Sequence, residues 1–172
     1  MLKRRNATEC ESQMIDACEI RLAMQRDASR IAAMSRDYIE EGLDWGWTPA
    51  RVARSIRDRA TNVALAEHGT DLAGFGIMQY LDDDAHLLLF AVRPEYRRRG
   101  IGSQLLAWLE STATTAGIEL IFLETRTGNL VARAFYAARG YRELATLPRY
   151  YRSEDAVRIG KDLGDATTAR SA

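Results

Sequence analysis

The chain is poor in cysteine and histidine, and neither sign of charge is in excess. Its 172 residues include 2 cysteines and 2 histidines, and 24 basic residues balance 24 acidic ones. Cys10 and Cys18 have no metal-ligand spacing and make no disulfide framework, which indicates free thiols and no metal site. Zero net charge gives no global field that would recruit nucleic acid or an anionic membrane. We therefore expect no nucleic-acid partner and no membrane partner.

Long apolar runs and a secretory leader are also missing. No segment reaches the ~18 apolar residues of a membrane span. The N-terminus is basic, but residues 6–16 are too polar for the apolar region of a signal peptide. We expect a cytoplasmic protein with an N-terminal extension at 1–17, one globular domain at 18–164 and a disordered tail at 165–172.

Hydrophobic periodicity and turn residues predict alternating helices and strands. Asp27 and Thr48 are candidate helix caps, the second followed by Pro49, and Gly42 is expected to end the first helix. Turn residues at 68–70 and 82–84 favour an antiparallel meander of the strands around them. Strands are predicted at 19–24, 62–67, 71–81, 85–92, 119–124, 141–147 and 155–162, and helices at 27–41, from 49 onward, at 100–116 and at 130–139.

The segment Val92–Gly102, with the sequence VRPEYRRRGIG, joins a predicted strand to a predicted helix. Amide donors, the helix dipole and flexible glycines at such a turn favour a polyphosphate. The dinucleotide fingerprint G-x-G-x-x-G fails, because Leu105 stands at the third position counted from Gly100. The nucleoside-triphosphate loop G-x-x-x-x-G-K-[ST] is absent from the sequence. The segment therefore predicts a phosphorylated cofactor of another kind.

Two motifs resemble the GCN5-related N-acetyltransferases, which bind acetyl-coenzyme A. Arg97-x-x-Gly100-x-Gly102 is similar to their pyrophosphate-binding signature. Residues 119–141 are similar to their later motif, in which a strand ends in Glu124 and is followed by Asn129 and then Ala-Phe-Tyr136. This spacing most resembles the ribosomal-protein alanine N-acetyltransferase type. The resemblance covers roughly residues 19–163.

The resemblance implies a mixed α/β (α+β) fold with a mostly antiparallel central sheet of six to seven strands, flanked by about four helices. The fourth and fifth strands would splay apart, which leaves backbone groups unpaired for the pantetheine arm of acetyl-CoA. Asn129 is expected to cap a helix and, by the resemblance, to reach the pantetheine. The expected cofactor-binding residues are Phe90, Ala91, Val92, Arg97, Arg98, Arg99, Gly100, Ile101, Gly102, Ser103 and Asn129.

The implied chemistry is direct acetyl transfer to a primary amine. An α-amino group has a pKa of ~8 and a lysine ~10.4, so a base is useful near neutral pH. Glu124 is the expected general base and Tyr136 the expected general acid. The alternatives are a solvated strand-end glutamate and a packed core tyrosine. His86 is either an alternative base or a packed residue at the rim.

The expected acceptor-binding residues lie in the loop after the first helix, on one strand, and in the loop between the last two strands. They are Trp45, Trp47, His86, Tyr150 and Tyr151. The acceptor stays open among small amines, protein N-termini and lysine side chains, and the oligomeric state, a homodimer included, is also open. A non-catalytic module that senses acyl-CoA is the main alternative. A nucleic-acid surface on the basic stretch at 51–59 is disfavoured, because Asp58 interrupts it.

Overall fold

The computed structural model of the chain describes residues 18–42, 44–151 and 154–164. The expected extension at 1–17, the tail at 165–172 and Cys10 lie outside these residues. Cys18 is half-buried and packs against one apolar cluster of the core.

One seven-stranded sheet runs through the described residues. Its strands are β1 (Glu19–Leu22), β2 (Thr61–His68), β3 (Asp71–Tyr80), β4 (Asp84–Val92), β5 (Leu120–Arg126), β6 (Arg142–Tyr151) and β7 (Glu154–Asp162). The helices are α1 (Ala28–Tyr38), α2 (Pro49–Arg57), α3 (Ile101–Thr115) and α4 (Leu130–Ala137), with 3-10 turns at Gln25–Asp27 and Pro94–Tyr96. The order across the sheet is β1-β2-β3-β4-β5-β7-β6, and only β4 and β5 are parallel within it. The predicted mixed fold and the meander are confirmed.

The parallel strands β4 and β5 separate part-way along their length. Their register covers Asp84 with Leu120, Ala85 with Ile121 and His86 with Phe122, and the pairing then stops. Both strands continue beyond that point, to Val92 and Arg126. The predicted splay is therefore present, and the backbone edges that face each other beyond His86 are open to a ligand.

Each face of the sheet is covered by its own apolar cluster. Leu105, Leu106 and Leu109 of α3 pack on one face, together with residues of β5 and β7. The other face carries α1 and α2, whose buried side chains meet Phe75 and Ile77 of β3. These two layers hold the central strands rigidly, and so they fix the positions of the groups at the fork between β4 and β5.

The ends of α1 differ from the sequence prediction. Asp27 has helical backbone angles (φ −84°, ψ −14°) and makes no side-chain cap for α1; its carboxylate accepts instead from the Met24 amide at 2.8 Å. The helix ends at Tyr38, not at Gly42, which adopts φ +77° further along the chain. The predicted cap of α2 is confirmed, because Thr48 Oγ1 accepts from the Arg51 amide at 3.3 Å.

The early end of α1 has a cause in the loop that follows it. The buried Glu40 carboxylate accepts from Ser35 Oγ at 2.8 Å, from the Gly46 amide at 2.5 Å and from the Trp47 amide at 3.2 Å. These contacts of Glu40 with α1 and with the following loop favour a non-helical backbone after Tyr38. The loop between α1 and α2 is thus tied to the end of α1.

Candidate active site

A pocket of about 450 Å³ opens where β4 and β5 separate. Residues of the loop before α2, of the two diverging strands, of α4 and of the end of β6 meet in it. The predicted site residues that line it are Trp47, His86, Phe90, Glu124, Asn129, Tyr136, Tyr150 and Tyr151. A pocket of this size at a sheet fork suits a ligand that is mostly apolar with a few polar groups.

Glu124 lies just beyond the point where the pairing of β4 and β5 ends. His86 is in register with Phe122, so Glu124, two residues further along β5 on the same face, lies beside it. The Oε2 atom of Glu124 is 2.6 Å from His86 Nε2. Its Oε1 accepts from Arg158 Nε at 2.8 Å, and Arg158 is its register partner on β7. The Glu124 side chain is only 4% exposed, so these two partners provide most of its polar surroundings.

The surroundings of Glu124 act on its pKa in opposite directions. Burial favours the neutral acid, but the hydrogen bonds and charges of His86 and Arg158 outweigh it and hold the pKa below its ordinary value. His86 is kept in place by stacking on Phe122, with ring centroids 4.5 Å apart and an interplanar angle of 17°. The carboxylate is therefore ionised, and the adjacent imidazole is oriented by it.

Tyr136 lies on α4 among other aromatic rings. It meets Phe135 edge-on at 5.2 Å and Tyr141 at 5.3 Å between centroids, and Phe90 of β4 lies at 6.3 Å. Burial raises the pKa of its hydroxyl, so the group stays protonated at all ordinary pH values. A fixed, protonated hydroxyl that lines the pocket suits proton donation.

Asn129 has the first of its two expected roles. Its side-chain oxygen accepts from the Ala132 amide at 3.1 Å and caps α4. It also lines the pocket, next to the open edge of β5. Its contact with a pantetheine arm stays a prediction.

The predicted phosphate loop has the backbone that an anion site needs. Gly100 takes the left-handed conformation, φ +79°, immediately before α3, and Arg98 also has positive φ, +64°. A methyl group at Gly100 would approach nothing closer than Gln104 Nε2 at 3.8 Å, so the space above this residue is open. No side chain caps α3, which leaves the amides of its first turn directed at that space. The loop fits a pyrophosphate.

The side chains of this loop divide into exposed and packed groups. Arg97, Arg98 and Arg99 are exposed, and Arg97 Nε donates to the Val92 carbonyl at 2.9 Å. Ile101 and Ala91 are buried, so only their backbone groups face a ligand. Gly102 is packed tightly, because a methyl group there would lie 3.2 Å from the Phe135 ring.

The hydroxyl of Ser103 is engaged by a residue that the motif does not include. Arg139, just after α4, donates through Nη2 to Ser103 Oγ and through Nη1 to the Phe135 carbonyl at 2.6 Å. Its guanidinium also lies over the Phe135 ring, 3.6 Å from the centroid. A cation is therefore fixed at the first turn of α3, where it adds to the attraction for phosphate.

The two tryptophans before α2 have different positions. Trp47 is buried against the core and lines the pocket, with the Arg51 guanidinium 4.0 Å from its ring centroid. Trp45 is exposed, lies near Arg36 and does not line the pocket. The structure therefore brings Trp47 to the expected acceptor site and leaves Trp45 outside it.

The paired tyrosines at the end of β6 close the other side of the pocket. Tyr150 and Tyr151 pack edge to face at 5.0 Å, and the Tyr151 hydroxyl donates to the Glu124 carbonyl at 3.3 Å. Burial and the neighbouring Tyr150 and Glu124 raise the pKa of Tyr151 to about 12. Both rings are therefore neutral walls of the pocket.

Arg158, Glu40 and Arg139 were not identified from the sequence as residues of the site. Arg158 could have been suspected, because it is a single charge inside the apolar run Ala-Val-Arg-Ile of β7. Glu40 and Arg139 gave no signal, since each acts on a partner that only the folded chain brings near. Among residues 18–42, 44–151 and 154–164, no cluster of three His, Cys, Asp or Glu side chains could hold a metal. Nor does that part of the chain contain a helix long and apolar enough to cross a membrane.

Comparison with known proteins agrees with this geometry. The sequence model of the acetyltransferase (GNAT) family matches residues 19–141. The chain belongs to this family. It is therefore an acetyl-CoA-dependent N-acetyltransferase, and the resemblance noted in the sequence is confirmed at the level of the family.

The relatives have different acceptors in their names. The chain is 33% identical over 109 residues to the ribosomal protein bS18 alanine N-acetyltransferase of Escherichia coli K12, covering 63% of this chain and 73% of that protein. It is 28% identical over 137 residues to the aminoalkylphosphonate N-acetyltransferase of Salmonella typhimurium, covering 76% and 88%. A solved structure of Ard1 from Thermoplasma volcanium superposes with a TM-score of 0.76 at 26% identity, over 85% of this chain and 97% of that one.

Proposed function

We propose that this enzyme transfers the acetyl group directly to a primary amine. Glu124, paired with His86, takes the proton of the amine, and Tyr136 protonates the leaving sulfur. The observation that carries the proposal is the convergence of these three side chains on one pocket, at the point where β4 and β5 separate. A non-catalytic sensor of acyl-CoA would have no need of a carboxylate–imidazole pair and a fixed phenol in the same pocket.

The proton-accepting group is better described as a pair than as one residue. Glu124 alone is a weak base, because Arg158 and His86 stabilise its charged form. Imidazole is a common general base, and a carboxylate beside it orients the ring and stabilises the imidazolium that forms. The two groups are 2.6 Å apart, so a proton taken from the amine would be held between them. The amine can then attack as a neutral nucleophile.

The residues that would hold acetyl-CoA follow from the open backbone of the site. The amides of Gly100–Gly102 would receive the pyrophosphate, with Arg97–Arg99 and Arg139 around it. The free edge of β4 at Phe90–Val92 would pair with the amide groups of the pantetheine. When bound, the cofactor supplies an activated acetyl thioester with a good leaving group. The Tyr136 hydroxyl, whose pKa is raised by burial, would stay protonated until it donates its proton to the leaving sulfur.

The acceptor is a primary amine, but membership of the family does not determine which molecule carries that amine. An α-amino group, with a pKa of ~8, releases its proton to such a pair more easily than a lysine with ~10.4. The relatives are named for an N-terminal alanine and for aminoalkylphosphonates, and both are amines with further polar groups. We place the enzyme in the cytoplasm, where a ribosomal protein is made.

The test combines cofactor binding with a screen of acceptors. Acetyl-CoA is incubated with the enzyme and with peptides, amino acids, polyamines or aminophosphonates, and free thiol is measured. Calorimetry then compares the coenzyme A affinity of wild type with that of Gly100→Glu, which blocks the approach to the backbone. Gly117→Glu is the matched control, because Gly117 also has positive φ, +82°, and open space around it.

We expect thiol release with at least one class of amine, and loss of coenzyme A binding only in Gly100→Glu. Equal loss of binding in both glycine variants would mean that backbone strain, and not the phosphate site, causes the effect. Tight coenzyme A binding without transfer to any amine would favour the acyl-CoA sensor instead.

A further inference from the structure

The exposed face of α2 carries three arginines at a helical spacing. Arg51, Arg54 and Arg57 follow one another at intervals of three residues, which places them along one side of the helix. The basic stretch seen in the sequence is therefore an ordered row of cations. These arginines line a shallow groove of about 560 Å³, whose floor and far wall come from β2, β3 and β4. We call it the α2 groove.

The α2 groove is continuous with the active-site pocket. Trp47, Arg51 and Leu88 line both. The Arg51 guanidinium stands at the junction, held over the Trp47 ring at 4.0 Å and donating to the Gly46 carbonyl at 3.4 Å. A chain that leaves the pocket past Trp47 therefore enters the α2 groove and meets a fixed cation first.

The three arginines of the α2 groove form no ion pair with a carboxylate in the described part of the chain. Arg57 Nη1 donates to the neutral amide oxygen of Gln25 at 3.0 Å. Arg54 has no hydrogen bond or ion pair from its side chain in the described part of the chain. The carboxylate of the groove, Asp58, is bound by the Ala60 amide at 3.1 Å and by Thr61 Oγ1 at 2.8 Å. Across residues 18–42, 44–151 and 154–164, no carboxylate forms an ion pair with any of the three arginines.

We propose that the α2 groove binds negative charge carried by the acceptor beyond its reacting amine. The acceptor is then an amine followed by carboxylate, phosphate or phosphonate groups, such as a protein N-terminus with acidic residues next in sequence. This inference rests on the proposed function, since it deepens the specificity of the same site. Guanidinium groups bind such oxygens bidentately, and an extended peptide advances ~3.3 Å per residue, so successive acidic residues would pass along the row.

The first test measures binding without chemistry. Short fluorescent peptides that begin with alanine, followed by acidic, neutral or basic residues, are titrated with the full chain at about 0.15 M salt, and fluorescence anisotropy is recorded. The variant is Arg54→Glu, because the Arg54 side chain makes no hydrogen bond or ion pair with the described residues. The control is Arg59→Glu, which makes the same change of charge at a residue that lines neither the pocket nor the α2 groove.

We expect the acidic peptide to bind about tenfold more tightly than the basic one, and Arg54→Glu to abolish or reverse that order. Arg59→Glu should change the affinities by no more than about twofold, because an exposed charge outside the groove is screened. Equal binding of the three peptides, or an equal loss in the two variants, overturns the proposal. Tighter binding of a single-stranded RNA than of the acidic peptide also overturns it.

The second test follows acetyl transfer to the same peptides, and to 2-aminoethylphosphonate against ethylamine. Preference for the acidic peptide supports a protein acceptor, whereas preference for the phosphonate over both peptides and ethylamine supports a small anionic acceptor. Transfer with no preference for charge overturns the α2 groove proposal and leaves the proposed function standing. Charge-selective binding without transfer has the opposite meaning, because the groove is then supported and the acetyl transfer is not.

Discussion

Glu124→Gln is the substitution that tests the proton-accepting pair most directly. Glutamine keeps the shape of the side chain and its contact to Arg158, but it removes the negative charge beside His86. If the pair takes the proton of the amine, turnover should fall at neutral pH. Coenzyme A affinity should be nearly unchanged, because Glu124 lies at the fork and not in the phosphate loop.

The size of the effect follows from the burial and partners of Glu124. The Glu124 carboxylate is only 4% exposed and lies 2.6 Å from the His86 imidazole, so it is well placed to stabilise an imidazolium. Loss of a general base costs about 10²- to 10⁴-fold in rate, which is about 2.7–5.5 kcal/mol of barrier. The cost in folding should be smaller, about 1–3 kcal/mol, because Arg158 is 41% exposed and water can replace part of the lost contact.

The assay is a pH profile of kcat and of the acceptor KM for wild type and Glu124→Gln, with an α-amino acceptor. About a tenth of such an amine is neutral at about pH 7 and about nine tenths at about pH 9, so the deficit should shrink as the pH rises. The matched control is Glu143→Gln. Glu143 also binds an arginine, Arg133, at 2.6 Å, but it is half exposed on β6 and lines no part of the pocket.

A second substitution, His86→Gln, distinguishes a base made of Glu124 and His86 together from a base made of Glu124 alone. Two groups that share one proton act as a unit, so the double variant should be hardly slower than either single variant. Deficits that multiply in the double variant would show independent roles. A Glu124→Gln deficit confined to the acceptor KM, with unchanged turnover across the pH range, would refute the base role and assign proton removal to solvent.

Two further predictions concern Tyr136 and the ion-pair cluster beneath α1. Tyr136→Phe should lower turnover by about 10- to 10²-fold while leaving coenzyme A affinity intact, because only the donated proton is lost; wild-type turnover in a folded variant would reassign the ring to packing. Asp27→Asn should destabilise the fold by about 2–3 kcal/mol near pH 7 in urea titrations, because the 2% exposed carboxylate binds Arg21 and Arg30. Burial opposes ionisation of Asp27, but these arginines and the Met24 amide hold its pKa well below the ordinary value. The stabilisation by ionised Asp27 is therefore complete above the unfolded pKa of ~3.9 and is lost as the pH falls through the lower folded pKa. The difference in unfolding free energy between wild type and Asp27→Asn should therefore shrink in acid. A gap that is constant down to about pH 2 would contradict this linkage.

Local patterns predicted most of the elements of this fold. Apolar runs located β2, β3 and β4, and the turn residues between them correctly indicated a meander. Thr48 followed by Pro49 marked the start of α2, because that cap depends on adjacent residues alone. The end of α1 was predicted wrongly, because it depends on a contact with residues further along the chain. Glu40 leaves the helix to bind amides at Gly46 and Trp47, and no helix-stop rule contains that contact.

The cofactor loop and the acceptor side of the site were predictable to different degrees. Gly100 and Gly102 were informative because backbone approach and close packing both demand glycine at fixed spacing. Trp45 and Trp47 are two residues apart with the same chemistry, and the sequence offered no means of separating them. Only Trp47 lines the pocket, because the Glu40 carboxylate binds its amide and directs the loop inward.

The ionisation of Glu124 depends on the order of the strands in the sheet, which the sequence motif does not contain. Residues 154–162 follow β6 in the chain, yet they insert between β5 and β6, and this places Arg158 directly opposite Glu124. Had β6 been the neighbour of β5, the carboxylate would have faced a different strand, and its pKa would have been set mainly by burial and His86. In the proposed mechanism, the glutamate and tyrosine of the motif are the groups that would transfer protons. Arg158 from the last strand and His86 from the fork keep the glutamate ionised, and a proton arriving from the amine would meet the carboxylate and the imidazole together.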